Sequence, residues 1–207
     1  MCVTDQKWTN PEGICTVIFN YQLSIQNLTG SSKQLPGGHS LPERIDGNAM
    51  TYKTTSESDT LAFAARLAPM LRAGDTVLLS GDLGAGKSVL ARGVARGMGV
   101  PGPMPSPTFT LVIPYEGTAG KLYHFDLYRL ADPDEYYAAG LDEMVGGDGV
   151  AVVEWPEMAD LDARPCLRVT LERGAGDEER RISIKNDGVA GFDPAALMGW
   201  EASGDGQ

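Results

Sequence analysis

Short apolar runs alternate with helix-period segments from about residue 50 onward, and this alternation predicts an α/β fold. Residues 51–54 read as an edge strand. Thr55 or Ser56 then caps a helix whose first turn carries Glu57 and Asp59, where negative charge complements the helix dipole. Leu61, Ala64, Ala65, Ala68 and Leu71 recur at helical spacing, and Gly74 supplies the stop. Thr76, Val77, Leu78 and Leu79 form a short buried strand that runs into a glycine-rich loop, and a second helix follows over residues 87–98. Gly99, Pro101, Gly102, Pro103, Pro105 and Pro107 break the pattern into an extended loop. Strands are expected over residues 109–113 and 121–127, with residues 116–120 turning between them. Asp132 followed by Pro133 opens a further helix. Residues 149–154 make a central strand, residues 167–171 and 181–185 a hairpin, and Asp193-Pro194 starts a short C-terminal helix. The expected architecture is a three-layer sandwich with a mixed β-sheet, and no internal repeat is visible.

The first 49 residues differ in character. They carry few charges, and residues 31–47 are rich in Ser, Gly and Pro, so they read as a flexible N-terminal extension, with residues 50–207 as the folded domain. The chain of 207 residues is long enough for one α/β domain with a sizeable core. No run approaches the roughly 18 apolar residues of a membrane span, and residues 14–28 lack the basic flank and cleavage pattern of a signal peptide. Cys2, Cys15 and Cys166 are widely spaced with no paired motif, which fits a reducing cytoplasm. The net charge of −11 repels phosphate backbones, so any role with nucleic acid is expected to be indirect. Arg180 and Arg181 follow the acidic run Asp177, Glu178 and Glu179 and read as part of a solvated mixed-charge loop.

The strongest chemical signal is Gly81, Asp82, Leu83, Gly84, Ala85, Gly86, Lys87 and Ser88, which fits G-x-x-x-x-G-K-[ST] in full. It lies after a strand and before a helix, the setting this phosphate-binding loop requires, and it makes the sandwich P-loop NTPase-like. Glycines allow successive backbone N–H groups to turn inward around phosphates, and the helix N-terminus adds its dipole. Lys87 would reach the β- and γ-phosphates of ATP, and the Ser88 hydroxyl would coordinate Mg²⁺.

Such a loop needs an acid near the metal, at the end of an apolar strand. Glu154 ends Val150, Ala151, Val152 and Val153 and is the first candidate, with a metal role directly or through a bound water. Asp126 ends the run from Leu122 to Phe125 and is the second, polarising the attacking water or holding the metal through its hydration shell. His124 alternates with Asp126 and shares its face of the strand, where a hydrogen-bonded core histidine is the more ordinary reading than a catalytic one. Thr108, in the proline-rich loop, is placed like a switch residue that senses the γ-phosphate or metal.

Four blocks occur in one order: residues 81–88, Ser106-Pro107-Thr108-Phe109-Thr110-Leu111, His124-Phe125-Asp126-Leu127-Tyr128-Arg129-Leu130 and Val153-Glu154-Trp155-Pro156. Together they closely resemble the bacterial TsaE family, the ATPase of tRNA threonylcarbamoyladenosine biosynthesis, over roughly residues 51–185. The resemblance implies an ATPase working with the partner proteins TsaB and TsaD, which transfer threonylcarbamoyl to adenosine 37 of tRNA. Hydrolysis on this chain would reset that complex between turnovers, and tRNA would be met only through it. Lys87 and Ser88 match the family's phosphate and metal positions, and Asp126 and Glu154 its functional acids. Ser88 stands where threonine is common there, and it keeps the hydroxyl.

Other classes remain open on the residues alone. A small-molecule kinase would need an acceptor pocket and an arginine-bearing lid, and no arginine cluster follows the central helices, though Arg129 is available. A GTPase would need an Asn-Lys-x-Asp motif that the chain lacks. A binding module would use ATP as a switch without turnover.

Overall fold

Val77, Leu78 and Leu79 have no polar side to turn to water, so the strand that holds them must be covered on both faces. In the computed structural model, which describes residues 49–197 and the backbone of residues 44–45, this strand lies inside the sheet. The strands are β1 (Arg44–Ile45), β2 (Ala49–Thr54), β3 (Thr76–Ser80), β4 (Val112–Gly117), β5 (Gly120–Asp126), β6 (Val150–Glu154), β7 (Cys166–Arg173) and β8 (Arg180–Asp187). The helices are α1 (Glu57–Ala65), α2 (Lys87–Gly97) and α3 (Pro133–Ala138). The sheet order is β1-β2-β8-β7-β3-β6-β5-β4. β7, β3, β6 and β5 are parallel, and the flanking strands add in antiparallel fashion, so the sheet is mixed.

Alternation along the central strands makes two cores. Val77, Leu79, Leu122, Val150 and Val152 join Phe63 of α1 and Leu90, Ala91 and Val94 of α2 on one face. Leu78, Phe125, Ala151 and Val153 join Tyr136 of α3 and Leu141 on the other. The result is the three-layer P-loop NTPase-like sandwich expected.

The two helices of the first layer meet at backbone distance. A Cβ on Gly93 would fall 2.5 Å from the Ala64 Cβ, and one on Gly97 would fall 2.4 Å from the Ala65 carbonyl oxygen. These two glycines, one turn apart, are where α2 seats on α1.

Several expectations need correction. Helix α1 starts as read, with the Ser56 hydroxyl accepting from the Asp59 N–H, but it stops at Ala65. A 3-10 turn at Ala68–Met70 takes over, because Pro69 has no N–H with which to continue an α-helix. The strand expected over residues 109–113 begins at Val112. The Pro107 carbonyl accepts from the N–H groups of Thr110 and Leu111, and this turn, with Leu111 at φ +63°, carries Phe109 out of the sheet. Strand β2 is not at the edge, since β1 pairs beyond it. The C-terminal helix is a 3-10 turn at Pro194–Leu197. Of the expected extension, Arg44, Ile45 and Ala49 contribute to the sheet, and residues 1–43 lie outside the described residues.

Candidate functional site

Between β3 and α2 the chain must turn sharply against β7. At Gly81, with φ +136°, a Cβ would lie 2.2 Å from the Leu171 carbonyl oxygen, so only glycine lets the loop leave the strand there. The loop ends at Gly86, which caps α2 without a side-chain hydrogen bond, so no cap side chain claims the first N–H groups of the helix. Lys87 is 4% exposed. Its Nζ donates to the carbonyls of Gly81 at 2.6 Å and Asp82 at 2.9 Å, and lies 3.6 Å from the centre of the Trp155 ring. Burial draws the Lys87 ammonium below the usual lysine range, against the opposing pull of the carboxylates of Glu154, Glu157, Asp126 and Asp82.

The two acids end neighbouring parallel strands in register, Asp126 beside Glu154. Both face the α1–α2 side, because they continue the rows Leu122, His124 and Val150, Val152. Glu154 is held at both oxygens: Ser88 Oγ donates to Oε2 at 2.9 Å, and His124 Nε2 donates to Oε1 at 2.8 Å. Asp126 is held equally firmly. Its Oδ2 accepts from Thr108 Oγ1 at 2.6 Å and Ser106 Oγ at 3.0 Å, and its Oδ1 accepts from the Tyr128 N–H at 3.2 Å. Ser88, Glu154, Asp126 and Thr108 are thus joined with the loop in one region. His124 serves as a buried hydrogen-bond donor to an acid, the ordinary role expected of it.

Three contributions emerge only with the structure. Ser106 shares Asp126 with Thr108, and a second hydroxyl two residues before Thr108 in the same proline-rich loop was the available signal. Trp155 adopts φ +61°, its N–H donating to the Leu79 carbonyl, and this fold-back lays the indole on Lys87. Arg173 and Arg180 face each other across the β7–β8 hairpin beside the loop, which replaces the expectation of a purely solvated segment around Arg180. Their mirrored places on either side of the turn at residues 174–179 were the available signal.

The profile of the family described as threonylcarbamoyl adenosine biosynthesis protein TsaE matches residues 54–182, a stretch that contains all four sequence blocks. The chain belongs to the TsaE family. A Bacillus subtilis protein named tRNA threonylcarbamoyladenosine biosynthesis protein TsaE is 38% identical over 136 residues, covering 65% of this chain and 84% of that protein. The Streptomyces coelicolor protein of the same name is 42% identical over 132 residues, covering 58% of this chain and 84% of its own length. Among solved structures, the crystal structure of Bacillus subtilis YdiB superposes with a TM-score of 0.55 at 34% identity, covering 68% of this chain and 86% of that one. This TsaE-family chain has, among its described residues, no helix long and apolar enough to cross a membrane.

Proposed function

We propose that this TsaE-family protein binds ATP·Mg²⁺ at residues 81–88 and hydrolyses ATP in the cytoplasm, in support of tRNA threonylcarbamoyladenosine formation by TsaB and TsaD proteins. The observation that carries the reading is the hydrogen bond from Ser88 to Glu154, beside Asp126. It places a hydroxyl and two carboxylates at the mouth of a glycine loop. Hard oxygen donors of this kind suit Mg²⁺, which keeps most of its coordination for phosphate and water. Bound Mg²⁺ would neutralise phosphate charge during transfer to water.

The chain's own residues divide the work. Inward N–H groups of the loop and the α2 N-terminus hold the phosphates, and Lys87 exchanges its bonds to the Gly81 and Asp82 carbonyls for phosphate oxygens. Ser88 and Glu154 hold the metal side, with His124 fixing the carboxylate rotamer. Asp126 orients the attacking water, and Thr108 and Ser106 couple it to the proline-rich loop. The net charge of −11 favours contact with tRNA only through partner proteins.

The test is ATP turnover by the purified chain with and without a TsaB–TsaD complex. Stimulated hydrolysis supports the proposal. Binding without turnover under either condition reduces the protein to an ATP-dependent switch, and phosphate transfer to a metabolite makes it a kinase.

A further inference from the structure

Strand β7 outlasts its neighbour. Thr170 pairs with Ser80, the last residue of β3, and β7 then continues through Leu171, Glu172 and Arg173 alongside the glycine loop. On the α1–α2 face the cross-strand pairs of β7 and β8 run Val169 with Ile184, then Leu171 with Ile182, both in the core, and then Arg173 with Arg180. An apolar row therefore ends, at the lip of the loop, in two directly opposed arginines. Like charges in that position repel.

Their surroundings do not relieve it. Arg173 Nη2 donates to the Leu83 carbonyl at 3.4 Å, and Arg180 Nη1 donates to the carbonyls of Asp177 and Glu179. Among the described residues neither guanidinium forms an ion pair, although the chain has 28 Asp and Glu, and the adjacent Glu179 pairs with Lys53 at 2.8 Å instead. The loop makes room for them. A Cβ on Gly84 would lie 2.6 Å from Arg173 Nη2, and one on Gly86 would lie 3.6 Å from Arg180 Nε.

We propose that Arg173 and Arg180 are nucleotide-binding residues that form a second cationic wall of the site and engage the phosphates common to ADP and ATP. The inference rests on the loop being a nucleotide site. Guanidinium groups suit this task because their planar fork matches phosphate oxygens. The strand order places β7 and β8 on one side of β3 and Glu154 on the other, so the arginines act away from the metal side. Their contribution should therefore be independent of Mg²⁺, and equal for ADP and ATP.

Calorimetric titration of the full chain with ADP and with ATP, in EDTA and in Mg²⁺, tests this. R173Q and R180Q should each weaken both nucleotides about tenfold in either buffer, as expected for loss of a hydrogen bond to a charged group. In turnover they should raise KM and leave kcat unchanged, the mark of uniform binding. The double variant R173K/R180K keeps the charge and tests the fork; it should recover part of the affinity, more so at low salt. Unchanged nucleotide affinity in folded R173Q/R180Q, alongside a K87A variant that has lost binding, overturns the inference and leaves the nucleotide site standing. Unchanged affinity in K87A as well overturns both. Loss of tRNA binding by R173Q/R180Q with ATP affinity intact also overturns it, and assigns the pair to nucleic acid.

Discussion

The two flanks of the glycine loop are built on opposite plans. On the β5–β6 side, the oxygens of Asp126 and Glu154 already hold protein hydrogen bonds, from Ser88, His124, Thr108, Ser106 and the Tyr128 N–H. On the β7–β8 side, the partners of Arg173 and Arg180 among the described residues are carbonyl oxygens. The acids are oriented by the protein itself, which suits the catalytic part proposed for them, whereas the arginines would keep their charge for the anion proposed to meet them. Orientation belongs to the chemical step and unspent charge to binding, so the two sides should fail differently when mutated.

Lys87 stands between the flanks and should give the largest effect. Lys87→Ala should lower ATP affinity by at least about 100-fold while circular dichroism and melting temperature stay near those of the parent, because the charge-assisted phosphate contact is lost at the first residue of α2, outside both apolar cores. Calorimetry checks it, and near-normal affinity would mean that the loop does not seat phosphates.

On the acid flank, Glu154→Gln and Asp126→Asn should each cut partner-stimulated turnover about 100-fold, with ATP affinity changed by only a few fold. The two should separate in a magnesium titration. The Glu154 variant should need more Mg²⁺ to reach its plateau, and the Asp126 variant should reach a low plateau at ordinary Mg²⁺. Equal Mg²⁺ requirements would erase the distinction between a metal-side and a water-side acid.

A smaller loss, about tenfold in turnover, is expected of Thr108→Ala, since Ser106 and the Tyr128 N–H still hold Asp126. Steady-state kinetics at saturating ATP and Mg²⁺ measures it. A loss as deep as that of the Asp126 variant would give Thr108 a direct part in the chemistry.

The smallest effect sharpens the arginine side. Arg92 on α2 pairs with Glu57 at 2.9 Å on the surface, so Arg92→Ala should cost about 0.2–1 kcal/mol in thermal denaturation and leave nucleotide affinity untouched. An arginine already matched to a carboxylate is thus the control for two that meet none among the described residues. If Arg92→Ala weakened ADP as much as a β7–β8 variant does, the effect would be one of net charge and not of position.

Legibility followed the same division. The loop, its strand and helix, and both strand-end acids were readable because each depends on residues close in sequence: a glycine spacing, an apolar run, a carboxylate where the run stops. Val150, Ala151, Val152 and Val153 alone predict a central strand, and β6 lies inside the sheet. The arginine pair was not readable this way. Its meaning arises from a cross-strand register, and Arg180 beside three acidic residues looks like ordinary surface until Arg173 is set opposite it. The misplaced start of β4 has a similar origin. Phe109, Thr110 and Leu111 have strand-forming side chains, but the Pro107 carbonyl captures two of their N–H groups, and Phe109 is left 83% exposed.

The seating of α2 on α1 carries a consequence for residues remote from the loop. The helix is a stiff rod whose first residue is Lys87, and at 1.5 Å per residue Gly93 and Gly97 lie about 9 and 15 Å along it. A single methyl group added at either glycine would have to wedge the rod's tail away from Ala64 or Ala65, and a rod tilted at the tail swings at the head. The aim of the Lys87 and Ser88 side chains is therefore set from behind, by the absence of two side chains that no ligand ever meets. Substitutions there should read, in a screen, as nucleotide-site defects.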